Sequence, residues 1–408
     1  MKDRWGEGKA TADTIFVQPP GTPTVGEAYL KAYAATGDTF YLDAAQETAE
    51  ALVYGQLQSG GWTQTIHFAA AKRLGKYRNG NGGSWNVSSL DDGQTQAALQ
   101  FLMRADEALK FKYAAIHDAA LYGMKSLLAA QFANGGFPQA WLAPVDTKPI
   151  LKASFPSGDW KTEGRVKDYW SVYTLNDNLA DTVAQTLIVA YQVYKDENYR
   201  KALKALGYFL ILAQMPEPQP GWCQQYNFEM VPIWARKFEP PAITGWESQD
   251  VMETLIRIAR VTGQTQYLEP IPRSLAYFWK NLLPDGRVAR YYEFKTNKPL
   301  YMDAKYQLTY DDAAAPSHYG WKQPARFDEI GKAYDDAKAG RVPVAGPTVT
   351  AEAVRKILKD LDAEGRWIST YSGERLVGQP KFSDGFRYLS SAVFSRNVEV
   401  LSEYVGGK

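Results

Sequence analysis

The chain has 408 residues, 45% of them hydrophobic, which is enough to bury a large core. Its 46 Lys plus Arg nearly balance its 45 Asp plus Glu, so the composition carries neither a nucleic-acid footprint nor an acidic solvating tail. With Cys223 as the single cysteine, an internal disulfide and a cysteine-based zinc cluster are both excluded.

The opening MKDRWGEGKATADT has no apolar h-region, so a signal peptide is absent from it or has been removed. The first 24 residues or so read as an arm. From there the chain repeats itself. Val25 to Trp62 reads as a helix, a TGD turn, a second helix and a Gly-Gly-aromatic loop. Thr95 to Phe137 and Ala180 to Trp222 repeat the pattern, ending at Gly136-Phe137 and Gly221-Trp222. Gln249 to Val288 is a degenerate copy with Asp285-Gly286 in the loop, and Glu352 to Trp367 is a partial one. Apolar residues fall at helical intervals, as in Leu121, Met124, Leu127, Leu128 and in Leu203, Leu206, Leu210. The glycine just past each periodic run is a helix stop. The longest apolar stretch, Ala205 to Met215, is far short of the ~20 residues a membrane span needs.

Successive hairpins form an open solenoid or a closed toroid. The expected architecture is mostly α: an incomplete α/α toroid in one catalytic domain over the whole chain, with the loops after each second helix framing a cleft. A helical repeat that only binds is the alternative. Two irregular insertions, about 142–172 and 295–332, interrupt the pattern, and such segments are more often functional than filler.

Three clusters could carry chemistry. In NVSSLDDGQTQ, Asp91 and Asp92 stand just before a helix, where capping explains one carboxylate but not two. In YTLNDNLAD, Asp177 between Asn176 and Asn178 holds the same place in the next copy. Oxygen-rich entrances without Cys or dense His favour calcium over zinc. The third, GWCQQYNFEMVPIWARKFEPPAITGWES, sets Arg236, Glu239 and Glu247 among aromatics. The histidines, His67, His117 and His318, have no Ser or Cys nucleophile motif beside them. An inverting glycoside hydrolase using Asp91 or Asp92 with Asp177 as acid and base is the enzymatic alternative.

The strings SSLDDGQT, FANGGFPQAW, YTLNDN and GWCQQYNFEMVPIWARKFEPPAI resemble the pectate lyases of polysaccharide lyase family 10, across most of Gly60 to Asp312. The resemblance implies the toroid, with polygalacturonate as substrate and a calcium-assisted anti β-elimination whose base is an arginine. It places Arg236 as that base. Asp91 and Asp92 stand at the family's Asp-Asn pair for calcium and substrate carboxylate, and Asp177 matches its second acidic motif at calcium. Arg290 matches a substrate-contacting arginine, and Lys305 stands where a further arginine is common. Trp222, Tyr226 and Glu239 of the third string are expected at the substrate as well. A secreted or periplasmic monomer is the implied context.

Overall fold

The structure, a computed structural model, describes residues 11–69, 74–161, 166–316, 319–342, 348–372 and 382–407. The chain divides into two compact units: residues 1–127 with 345–408, and residues 128–344. Among the described residues no helix is long and apolar enough to cross a membrane.

In the first unit, α1 (Thr22–Thr36) and α2 (Thr39–Tyr54) form the first hairpin, and α3 (Gln94–Ala108) and α4 (Ala114–Ala129) the second, with the end of α4 crossing into the next unit. Near the C-terminus, α10 (Ala351–Lys359) and α11 (Ser391–Gly406) complete it, α11 packing on α1. The arm contributes a strand, Thr14–Phe16, antiparallel to Thr65–His67. Leu99, Phe101, Leu102, Met124 and Leu127 are fully buried, and each such side chain contributes about 1.5–3 kcal/mol on leaving water.

The second unit holds α5 (Leu179–Tyr194) with α6 (Glu197–Leu212), α7 (Gly245–Thr262) with α8 (Ile271–Lys280), and α9 (Phe327–Lys338). A four-stranded antiparallel sheet runs in the order Leu308–Thr309, Pro299–Met302, Tyr291–Tyr292, Ile243–Thr244. The segment 295–332 thus mixes short strands with turns as expected, although α9 already begins within it. The stretch 142–156 is without regular structure.

Two of the hairpins, α1–α2 and α5–α6, turn by one device. Gly37 (φ 70) ends α1 in the left-handed region, and Asp38 then caps α2 by accepting from Phe40 N. Lys195 (φ 56) and Asp196 repeat this between α5 and α6, with Asp196 accepting from Asn198 N. Left-handed stops and Asp caps satisfy backbone groups that helix ends leave unpaired.

A glutamine recurs after the second helix of the first three pairs. Gln56 Nε2 donates to Gly60 O (2.9 Å) and Ala119 O (2.8 Å), Gln131 to Gly135 O (3.0 Å) and Ala202 O (2.9 Å), and Gln214 to Pro220 O (3.1 Å) and Pro270 O (2.9 Å). Each ties its own loop to the following hairpin. A Cβ on Gly135 (φ 95) would collide with the backbone at Ala205, so this loop needs glycine to approach α6.

Candidate active site

The loop that closes each hairpin delivers the chain to the next helix through a short strand. Ser89 N donates to Trp62 O (2.9 Å), Thr174 N to Phe137 O (3.0 Å) and Thr244 N to Trp222 O (2.8 Å). Trp62 N then donates to Thr95 Oγ1 (3.0 Å), and Trp222 N to Ser248 Oγ (2.9 Å). Ser89 to Thr95 is a step of six residues, whereas Thr244 to Ser248 is a step of four. The longer step makes room for a 3₁₀ turn, Asp91–Gly93 in one copy and Asn176–Asn178 in the next. Asp92 (φ 46, ψ 27) and Asp177 (φ 54, ψ 37) both sit in the left-handed region there, followed by left-handed Gly93 and Asn178. Asp92 is therefore the positional twin of Asp177, and Asp91 that of Asn176.

Capping does not account for these carboxylates. The N-caps of α3 and α5 are Gly93 and Asn178, and neither makes a side-chain cap bond. Non-glycine residues at positive φ cost energy and concentrate at functional sites. In the first unit Gln18 Nε2 donates to Asp92 Oδ2 (2.5 Å), and Asp91 N donates to Ser89 Oγ (3.1 Å).

In the second unit the charged side chains form one network. Arg236 Nη2 donates to Glu239 Oε1 (2.5 Å), while its backbone N–H donates to Glu239 Oε2 (3.0 Å). Asp177 Oδ2 lies 3.9 Å from Arg236 Nη2. Asn176 Nδ2 donates to Asp177 Oδ2 (2.8 Å), and Gln224 Nε2 donates to Asn176 Oδ1 (3.0 Å) and Glu247 Oε1 (2.7 Å). Glu247 in turn accepts from Arg290 Nη2 (3.2 Å). The Arg290 guanidinium lies 4.1 Å from the Tyr319 ring centre, and the Tyr319 hydroxyl donates to Glu239 Oε1 (3.2 Å). Two arginines thus alternate with Asp177, Glu239 and Glu247, bridged by amides and a phenol.

Burial pulls the Arg236 pKa down, but the hydrogen bond and charge of Glu239, with Asp177 behind it, outweigh that and hold it above the ordinary arginine value. Arg290 is raised in the same way, burial being outweighed by Glu247. Burial also raises the Tyr319 phenol, which keeps it protonated.

Several expected substrate contacts have another role. Trp222 and Tyr226 are fully buried, the indole N–H donating to Leu210 O (2.7 Å) and the phenol to Ala213 O (2.8 Å). They build the loop behind the site, and no face of either ring is open to a ligand. Glu239 is 2% exposed and its oxygens are turned to Arg236, so it acts on the arginine rather than on a substrate. Arg290 is 8% exposed and held by Glu247. Lys305 is exposed. Arg236, with 37% of its side chain exposed, is the more accessible arginine of the two.

Among the described residues no three His, Cys, Asp or Glu lie together so that they could hold a metal. In the second unit the carboxylates are separated by arginines and amides. Calcium takes about 6–8 oxygens, so these carboxylates alone do not complete its shell. His67 bonds Thr14 Oγ1, and His117 bonds buried Asp106 (2.8 Å). His318 lies outside the described residues. Sequence reasoning did not single out Gln224 and Tyr319, the bridges of the network. Gln224 was visible in the CQQY string, but no sequence spacing links it to Asn176.

Comparison with known proteins bears on the family and the fold. The family model described as Pectic acid lyase matches residues 68–278, more than half the chain, including Asp91, Asp92, Asp177, Arg236 and Glu239. A family 10 polysaccharide lyase from Cellvibrio cellulosa has a similar fold, with TM-score 0.53 and 18% identity over 81% of this chain and 98% of that one. An Asp→Ala mutant of that lyase, solved in complex with trigalacturonic acid, gives TM-score 0.52 and 18% identity over 78% and 97% of the two chains. No curated protein matches the sequence. The fold class is the mostly α, incomplete α/α-toroid type read from the hairpins. With a family model matched over most of the acidic and arginine motifs and a polysaccharide-lyase fold over nearly the whole of its relative, the chain belongs to the pectic acid lyase family and is a polysaccharide lyase.

Proposed function

We propose that this lyase cleaves polygalacturonate by anti β-elimination, with Arg236 taking the C5 proton of the galacturonate next to the scissile bond. The observation that carries this reading is the clamp on Arg236: one carboxylate, Glu239, holds both its backbone N–H and its Nη2. An arginine held by one carboxylate at its backbone N–H and at Nη2, and still partly exposed, is pre-positioned against a substrate atom. The trigalacturonic acid in the complex of the Cellvibrio lyase supports the substrate class.

As the proton leaves C5, its electrons form the C4–C5 double bond, the C4–O4 bond breaks, and O4 leaves with a proton from water. Arginine is a weak base for this, with about one part in 300 neutral at pH 10 for a pKa of about 12.5. Glu239 and Asp177 reduce that fraction further. The neutral fraction therefore grows when Asp177 is drawn to another cation and its charge no longer acts on the guanidinium.

Calcium belongs to the proposal as a cation that arrives with the substrate carboxylate. Each unit has its own oxygen donors toward such a cation: Asp177 in the second, Asp91 and Asp92 in the first. It would supply charge neutralisation at an anionic sugar. Acting on an external polymer, the enzyme would be secreted or periplasmic.

Family membership sets aside the hydrolase and the binding-only readings. The test is ultraviolet absorbance growth on polygalacturonate with and without a chelator. Unsaturated products are expected, and new reducing ends without that absorbance would refute elimination.

A further inference from the structure

The turn between strands Pro299–Met302 and Leu308–Thr309 is closed by two backbone bonds, Tyr306 N to Asp303 O (3.0 Å) and Asp303 N to Gln307 O (2.9 Å). The same pair closes residues 362–366, where Gly365 N donates to Asp362 O (3.0 Å) and Asp362 N to Arg366 O (2.9 Å). It recurs at 283–287 around Gly286. Gly365 (φ 74) and Gly286 (φ 78) fill the left-handed slot in those turns, but in the first it is filled by Tyr306 (φ 61). A bulky residue at positive φ is an outlier where glycine is the default. The turn alone gives no reason for a ring there.

The ring has a neighbour. Tyr306 and Phe238 have centroids 5.9 Å apart, tilted by 37°, and the Arg236 guanidinium lies 5.2 Å from the Phe238 centre. Both rings pack on the core of Ala242, Tyr291, Leu300 and Trp321 but stay partly exposed. Lys237 Nζ lies 6.0 Å from the Tyr306 ring, and Lys305 precedes that ring in the chain. Both lysines are exposed, and among the described residues neither has a carboxylate within 4.0 Å. Nearby Lys161 and Lys322 differ, being paired with Glu293 and Asp312.

Two rings beside an arginine with such a lysine at their edge match one kind of ligand. A uronate ring offers an apolar C–H face for packing and one carboxylate for a cation. We propose that Phe238 and Tyr306 form a stacking subsite for a uronate ring next to Arg236, with Lys237 receiving its carboxylate. This deepens the polygalacturonate reading and rests on it.

The test uses the full chain carrying Tyr306→Gly, Tyr306→Phe or Lys237→Ala. Glycine suits the turn, as Gly365 shows, so Tyr306→Gly should fold, which its melting temperature checks. On polygalacturonate, Tyr306→Gly should raise KM about tenfold with kcat within about threefold of the parent. Tyr306→Phe should restore most of the loss. Lys237→Ala should raise KM and flatten its dependence on salt. A fall in kcat at unchanged KM would mean that Tyr306 only supports Arg236 through Phe238, and unchanged kinetics would mean that it does neither; either overturns the subsite. Affinity gels cast with polygalacturonate or with neutral galactan separate this from the broader reading. If the parent is not retarded by polygalacturonate, the substrate assignment fails and the uronate subsite with it. If the parent is retarded and Tyr306→Gly equally so, the subsite alone fails.

Discussion

Glu239 holds Arg236 twice, through Oε1 to Nη2 at 2.5 Å and through Oε2 to the backbone N–H at 3.0 Å. The second bond is local and fixes the turn from which the side chain projects. The first sets the charge. Together they place a guanidinium accurately and at the same time make it harder to deprotonate.

Glu239→Gln separates those two effects. Removing the negative charge lowers the Arg236 pKa, so the neutral fraction at a given pH increases. The alkaline rise of kcat/KM should move toward lower pH by about one unit or more. A pH profile of the variant checks this. A uniformly lower profile with unchanged shape would show that Glu239 only positions the arginine.

Asp250 on α7 predicts how stability depends on pH. Burial, then the charge of Glu247, outweigh the pairing with Arg326 and push its carboxyl up to about 7. The folded state then holds a proton that the unfolded chain releases near pH 4. Between about pH 4 and 7 the unfolded state binds fewer protons, so stability falls as pH rises through this window. Asp250→Asn should flatten that fall and raise the melting temperature at pH 8 relative to the parent. Equal slopes in the two proteins would contradict the assignment.

The recurring glutamines predict a folding defect without a chemical one. Gln131→Ala removes the donor shared by Gly135 O and Ala202 O. The Ala202 carbonyl keeps its helical bond within α6, but the Gly135 carbonyl is left unpaired, which costs about 1–3 kcal/mol. Denaturant unfolding should show a loss of about 1–3 kcal/mol, with kcat of the folded fraction unchanged.

Lys195 occupies the left-handed stop that Gly37 fills in the first hairpin. Lys195→Gly should stabilise the protein by about 0.5–1 kcal/mol, since the glycine has no Cβ to strain. A rise in melting temperature of a degree or more would be the sign of it.

The hairpin repeat was legible because its punctuation is local: the glycine stops, the Asp caps and the Gly-Gly-aromatic loops each have a fixed sequence signature. Arg236 and Asp177 were legible through their strings, and the structure brings them within 3.9 Å. What stayed hidden depends on torsions and on contacts distant in sequence. Asp91 and Asp92 look alike in sequence, yet only Asp92 shares the left-handed place of Asp177. Trp222 and Tyr226 share the string of Arg236, which made them expected substrate contacts, but aromatic residues suit both cores and sugars, and only burial distinguishes the two. The bridge from Gln224 to Asn176 spans 48 residues and leaves no periodic trace.

The role of Arg236 as the base is tested most directly by the initial rate at which absorbance of the conjugated double bond grows on saturating polygalacturonate, measured for the parent, Arg236→Lys and Arg236→Ala across alkaline pH. With Arg236 as the base, kcat falls about 10²- to 10⁴-fold in both variants, since lysine keeps the charge but cannot reproduce the planar guanidinium, while KM changes much less and the parent rate climbs with pH. If either variant keeps kcat within about tenfold of the parent, or if only KM rises, Arg236 is a carboxylate anchor and the base lies elsewhere.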